Sequence, residues 1–193
     1  IEEADQSAQR SQKINDLLAD ARDRLENNNL TTPTYNSALY YFNKVLDIDP
    51  GNPSAKRGIE TIVEKYVSMG DSKRRQEEWN DAITYYNKAI ELGGENSSIN
   101  RKIQQSQNSI SQEDQIVERS QRIKDLLAKA QDRIESNNLT TPTFNSALYY
   151  FNRVLEIAPN NREAQNGIQD IANNFETRGD NQRAQENWNE AID

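Results

Sequence analysis

An all-α fold of antiparallel helix pairs arranged in tandem is what the sequence predicts, and three observations predict it. Apolar residues make up only 34% of the 193, with a mean hydropathy of -1.03, yet they recur at helical spacing. The chain also repeats itself: residues 10–50 align with 119–159 without a gap, and NNLTTPTYNSALYYFN is answered by NNLTTPTFNSALYYFN. Finally, proline, glycine and asparagine fall at the edges of the periodic segments, where helices start and stop. A chain with 28% charged residues approaches the composition of disordered proteins. An elongated stack of helix pairs exposes more surface per residue than a globule, so low hydrophobicity suits it.

Residues 1–84 share roughly 48 identities with 110–193, about 30 of them within residues 11–50, a density that marks a tandem repeat. Two copies follow, 1–109 and 110–193, each of two helix pairs. The second stops at the counterpart of Thr84, so its last pair is expected to be truncated, and a longer array or a neighbouring chain would supply the rest.

Each period resolves into four helices. The first, Gln12 to Glu26, carries Ile14, Leu17, Leu18, Ala21 and Leu25 on one stripe. A polar loop over 27–34 follows, after which Thr34 or Asn36 is expected to cap a helix through Ala38, Leu39, Phe42, Val45, Leu46 and Ile48. Pro50 ends it, having no amide to donate. Asn52 and Pro53 read as cap and first-turn proline of a long third helix through Ala55, Ile59, Ile62, Tyr66 and Met69, with Asn161 as the cap in the second copy. A fourth helix begins near Trp79, carries Ala82, Ile83, Tyr86, Ala89 and Ile90, and ends at Gly93 and Gly94. Ser98 then reads as a cap. The periodicity beyond it admits one long helix or two, and a break near Ser111 is the expectation.

The segment from Tyr66 to Glu95, YVSMGDSKRRQEEWNDAITYYNKAIELGGE, resembles a tetratricopeptide repeat. Gly70 matches the family's first-helix glycine, Trp79 the aromatic before the second helix, and Ala82, Tyr86 and Ala89 its small-large-small series. The preceding unit keeps Ala38, Phe42, Val45 and Pro50, with Leu18 in place of the glycine and extra residues, including the NNLTTPT loop, between its helices. The second copy repeats the pattern with Ala147, Phe151, Val154 and Pro159, then Gly179, Trp188 and Ala191. The resemblance implies a helical-hairpin solenoid and, through similarity to repeat regions of bacterial signalling and cell-surface proteins, a bacterial origin and an envelope or extracellular location. Its spacing also has a packing reason: helices cross closely only where one side chain is small, so Gly70, Ala82 and Ala89 let backbones approach while Tyr86 and Trp79 fill the remaining space.

Composition removes most chemistry. Histidine and cysteine are absent, which excludes Ser-His and Cys-His catalysis and His or Cys metal sites. No phosphate loop or calcium loop is present, and carboxylate pairs such as Glu77 and Glu78 read as a solvated face. The expectation is a non-catalytic protein with no cofactor and no metal. A net charge of -8 argues against nucleic acid, and no long apolar run inserts into a membrane.

The expected partner is a protein or peptide, with copies of the chain itself as the alternative through head-to-tail stacking of exposed terminal repeats. In tetratricopeptide proteins the first helices of each pair line the concave surface. Carried over by alignment, that surface takes Gln12, Asn15, Ala19, Arg22 and Asp23, then Glu64, Val67, Asp71, Arg74 and Arg75, then Gln121, Lys124, Ala128, Gln131 and Asp132. The set lacks the lysine and asparagine arrangement of a carboxylate clamp, and Arg74 with Arg75 reads either as a meeting point for an acidic partner or, at least as well, as a solvated charged face. The repeated loop is either a structural plug or a contact loop presenting Leu30, Thr31 and Thr32, then Leu139, Thr140 and Thr141, with the plug favoured. Asn29, Asn96 and Asn138 open short acceptor triplets for glycosylation, matches that arise often by chance.

Overall fold

The computed structural model describes the backbone of residues 2–190 and the side chains of residues 5–186. Among the described residues all regular secondary structure is helical: α1 (Glu2–Glu26), α2 (Ala38–Ile48), α3 (Pro53–Arg75), α4 (Trp79–Glu91), α5 (Asn96–Glu135), α6 (Ala147–Ile157) and α7 (Arg162–Glu190). The chain divides into two compact units, Ile1–Ser111 and Gln112–Asp193, here units 1 and 2.

Local chemistry sets the helix ends. α1 closes with Asn28 in the left-handed region at φ 59, where the Asn29 N–H donates to the Arg24 carbonyl at 2.8 Å. Asparagine tolerates that conformation better than most residues. Asn137 repeats it at φ 56. The N-cap of α2 is Ser37, whose hydroxyl accepts from the Tyr40 N–H, and Ser146 does the same for α6. Thr34 and Asn36 are therefore not the caps. Asn36 is occupied elsewhere, its side-chain carbonyl accepting from Arg24 Nε at 2.9 Å and the Tyr41 hydroxyl at 3.0 Å. Asn52 caps α3 through the Ser54 and Ala55 amides with Pro53 in the first turn, and Asn161 receives the Ala164 amide at 2.9 Å.

Three boundaries differ from expectation. α1 extends back to Glu2, although residues 5–13 are all exposed. No break occurs near Ser111, and Ser98 lies inside α5 rather than capping it. Asn96–Glu135 contains neither glycine nor proline, and its serines join the helix, Ser106 and Ser109 donating to the carbonyls four residues back. α7 likewise runs unbroken through the positions that form the α3–α4 turn in unit 1, so the second copy shows no separate stub of a fourth helix among the described residues. Ala191 and the Trp188 side chain lie outside the described residues.

Unit 1 packs Leu18, Ala21, Leu30, Ala38, Phe42, Val45, Ala55, Ile62, Tyr66, Ala82, Tyr86, Ala89 and Ile99 into one core. Two glycines set helix approach. A Cβ on Gly58 would lie 2.1 Å from the Phe42 ring, and one on Gly70 would lie 2.5 Å from the Tyr86 ring. Unit 2 repeats the first contact, Gly167 against Phe151, in a smaller core of Ala130, Leu139, Ala147, Phe151, Val154, Ala164 and Ile171.

Candidate binding groove

α3 turns one face toward the start of α5. Ile59, Val63 and Val67 form an apolar row at four-residue spacing, and Glu60, Glu64 and Ser68 stand beside them. The opposite wall is Leu92, Gly93, Gly94 and Glu95, then Ser98 and Ile99 in the first turn of α5. The α4 C-terminus builds this wall: Gly93 takes φ 90, and the Gly94 N–H returns to the Ala89 carbonyl at 2.9 Å. Gly94 is buried, and a Cβ there would lie 2.9 Å from both Val63 and Ile99. The open groove has a volume of about 550 Å³, within the range of ligand-holding clefts.

Asp71 sits at one end of the groove as the centre of a polar cluster. The Tyr86 hydroxyl donates to it at 2.7 Å, and Lys102 of α5 reaches both carboxylate oxygens at 2.6 Å. Burial pushes the Asp71 carboxyl up, but the hydrogen bonds from Lys102 and Tyr86, with the charges of Lys102 and Arg74, outweigh it and hold the group below its ordinary 3.8. Burial and then the bond to Asp71 push the Tyr86 phenol up to about 12. The cluster ties α3, α4 and α5 together.

The other lining carboxylates differ. Glu60, Glu64 and Glu95 are exposed and make no ion pair among the described residues; Glu95 accepts from the Ser97 hydroxyl. No lysine or arginine lines the groove. The result is an apolar trough with a negative rim. No cluster of three or more Asp or Glu able to hold a metal ion occurs among the described residues, and no helix there is long and apolar enough to cross a membrane.

Of the anticipated site residues, Glu64, Val67 and Asp71 come together here. Arg22 lines a separate recess with Arg57, Leu25 and Thr61. Gln12 and Asn15 are exposed on α1 outside both, Gln12 donating to Asp16. Arg74 donates to Gln105 at 3.3 Å, while Arg75 is exposed and lines neither surface. Lys124 and Gln131 are exposed on the part of α5 within unit 2. In the repeated loop, Leu30 and Leu139 are buried in their cores, and Thr31 bonds the Tyr66 hydroxyl at 2.6 Å. Thr140 is half-buried, leaving Thr32 and Thr141 exposed.

Two features were not anticipated. The groove wall at Leu92 to Ile99 comes from a turn that the sequence marks only by its glycine pair. The loop tip presents Tyr35 at 79% exposure, edge-on to Tyr40 at 6.1 Å, beside Tyr41, Lys13 and Lys44. Phe144 repeats it at 79% exposure against Tyr149 at 6.0 Å. Both residues stand in the sequence, but a loop residue has no periodicity to reveal its direction.

Comparison of the chain with protein-family models, with curated proteins and with solved structures finds no match.

Proposed function

We propose that this chain is a non-catalytic scaffold of tetratricopeptide-like helix pairs that binds a protein or peptide along the groove between α3 and the start of α5. One observation supports this above the others: Glu64, Val67 and Asp71, three positions the family resemblance assigns to a partner-facing surface, line a single apolar trough. One wall is the helix α3 and the other a turn held by the Gly94 N–H bond to the Ala89 carbonyl, so the surface is organised before a partner arrives and less ordering entropy opposes binding. Selection of random displayed peptides on the full chain tests it. Selected binders are expected to lose affinity at least tenfold for a chain carrying Val63→Asp and Val67→Asp, checked for unchanged helicity. Binders indifferent to that variant would remove the groove from the account.

A second reading is self-association. It is favoured by α7, where Phe175 is 45% exposed and Gly179 has open space beside it. A net charge of -8 opposes contact between copies, which ranks this reading second. Light scattering over a hundredfold concentration range decides: constant mass near 22.2 kDa removes it, and growing mass supports it.

A further inference from the structure

On the footing that the groove is the binding surface, we infer that its partner is a basic amphipathic helix, with leucine-like side chains on one face flanked by lysine or arginine. Three observations lead there. The floor is apolar and ordered: Ile59, Val63 and Val67 repeat every four residues along α3, a ridge that meshes with the i, i+4 ridge of a second helix. The rim carries three carboxylates, Glu60, Glu64 and Glu95, that make no ion pair among the described residues, and no described lysine or arginine lines the groove. Asp71, the fourth carboxylate, already holds Lys102 and Tyr86, so it contributes structure and leaves recognition to the three glutamates.

The chemistry discriminates among occupants. An acidic segment would bring like charges against the rim, and another copy of this chain carries a net charge of -8. A purely apolar segment would cover the floor and leave the three glutamates without a partner of opposite charge. A helix with basic flanks satisfies floor and rim together. Arg74 and Arg75, the anticipated meeting point for an acidic partner, do not line the surface, so the expected sign of the partner reverses.

The rim residues are exposed, so their attraction is modest and screened by salt: each pair is worth a few-fold in affinity, and three together about tenfold at low ionic strength. Two synthetic helices with identical leucine positions, one with lysine and one with glutamate at the flanks, are titrated against the full chain by fluorescence anisotropy. The lysine helix is expected to bind, about tenfold more weakly to the Glu60→Gln, Glu64→Gln, Glu95→Gln variant. A control with Glu118→Gln, Glu163→Gln and Glu176→Gln removes the same charge elsewhere and is expected to leave affinity unchanged.

Equal binding of the two helices, no binding of the lysine helix, or equal weakening by both triple variants overturns the assignment of a basic partner. The Val63→Asp, Val67→Asp chain separates the two levels. If the lysine helix binds that chain undiminished, the groove itself fails. If displayed peptides still select the groove while the lysine helix does not bind, only the partner's charge is wrong.

Discussion

Residues 62–81 and 171–190 are aligned copies, and they fold differently. In unit 1 the chain runs as α3 to Arg75, turns through Gln76 and Glu77, and returns as α4. In unit 2 the equivalent residues continue as one helix through Glu190. The turn requires Glu77 in the left-handed region at φ 61, a conformation costing roughly 1–2 kcal/mol for a residue with a Cβ. In unit 1 the return of α4 offsets that cost by burying Ala82, Tyr86 and Ala89. In unit 2 no such helix covers α7 among the described residues, and Glu186 stays helical. Tyr66 is buried against Tyr85, whereas its counterpart Phe175 is 45% exposed. Among the described residues the turn and a packed return helix occur together in unit 1, and neither occurs in unit 2.

The contrast can be broken most forcefully at the glycines. Gly70→Ala is expected to destabilise unit 1 by about 1–3 kcal/mol, because its Cβ would meet the fully buried Tyr86 ring, and Ala82→Leu by a similar amount. Gly179→Ala is expected to stabilise unit 2 by about 0.5–1 kcal/mol, since nothing lies near that position and alanine is the better helix former. Native-state hydrogen exchange on the full chain reads both units at once. Equal effects at the two glycines would mean that α7 is covered as α3 is.

The aspartates come next. Asp71→Asn is expected to lower unit 1 stability by roughly 1–2 kcal/mol through loss of charged hydrogen bonds to Lys102 and Tyr86. Asp180→Asn, at an exposed residue paired with exposed Arg183, should change unit 2 by less than about 0.5 kcal/mol. Because the folded-state pKa of Asp71 is depressed, its contribution is present above pH 3.8 and is lost as pH falls through that lower value. An acid titration of unit 1 protection should therefore lose part of its slope below pH 3.8 in the Asn variant.

A further pair of substitutions lies at the turn. Glu77→Gly should stabilise unit 1 by about 0.5–1 kcal/mol by relieving the left-handed conformation, and Glu186→Gly should destabilise α7 by about 1 kcal/mol. Thermal melts with the exchange data give the signs. The same sign at both positions would mean that unit 2 also turns there.

Much of this architecture was legible because period and punctuation agreed. Apolar spacing fixed α2 and α6, Asn52 with Pro53 fixed the start of α3, and Gly93 with Gly94 fixed the end of α4. Ser37 was missed as a cap because Thr34 and Asn36 share its chemistry, and only the fold shows Asn36 engaged by Arg24 and Tyr41. The continuity of α5 was missed because exposed Ile116 and Val117 give a weak helical stripe, although no helix breaker stands there. The groove was partly legible: Glu64, Val67 and Asp71 follow from alignment, whereas Ile59, Glu60, Val63 and Ser68 beside them and the glycine turn supplying the other wall show themselves only in three dimensions.

The most direct measurement is hydrogen exchange of the full chain with and without the lysine-flanked helix. Added protection confined to residues 59–71 and 92–99, with 168–180 unchanged, is the predicted result, since the groove is lined by residues of those two segments. Protection at 168–180 equal to that at 59–71, or none at 59–71, would contradict it.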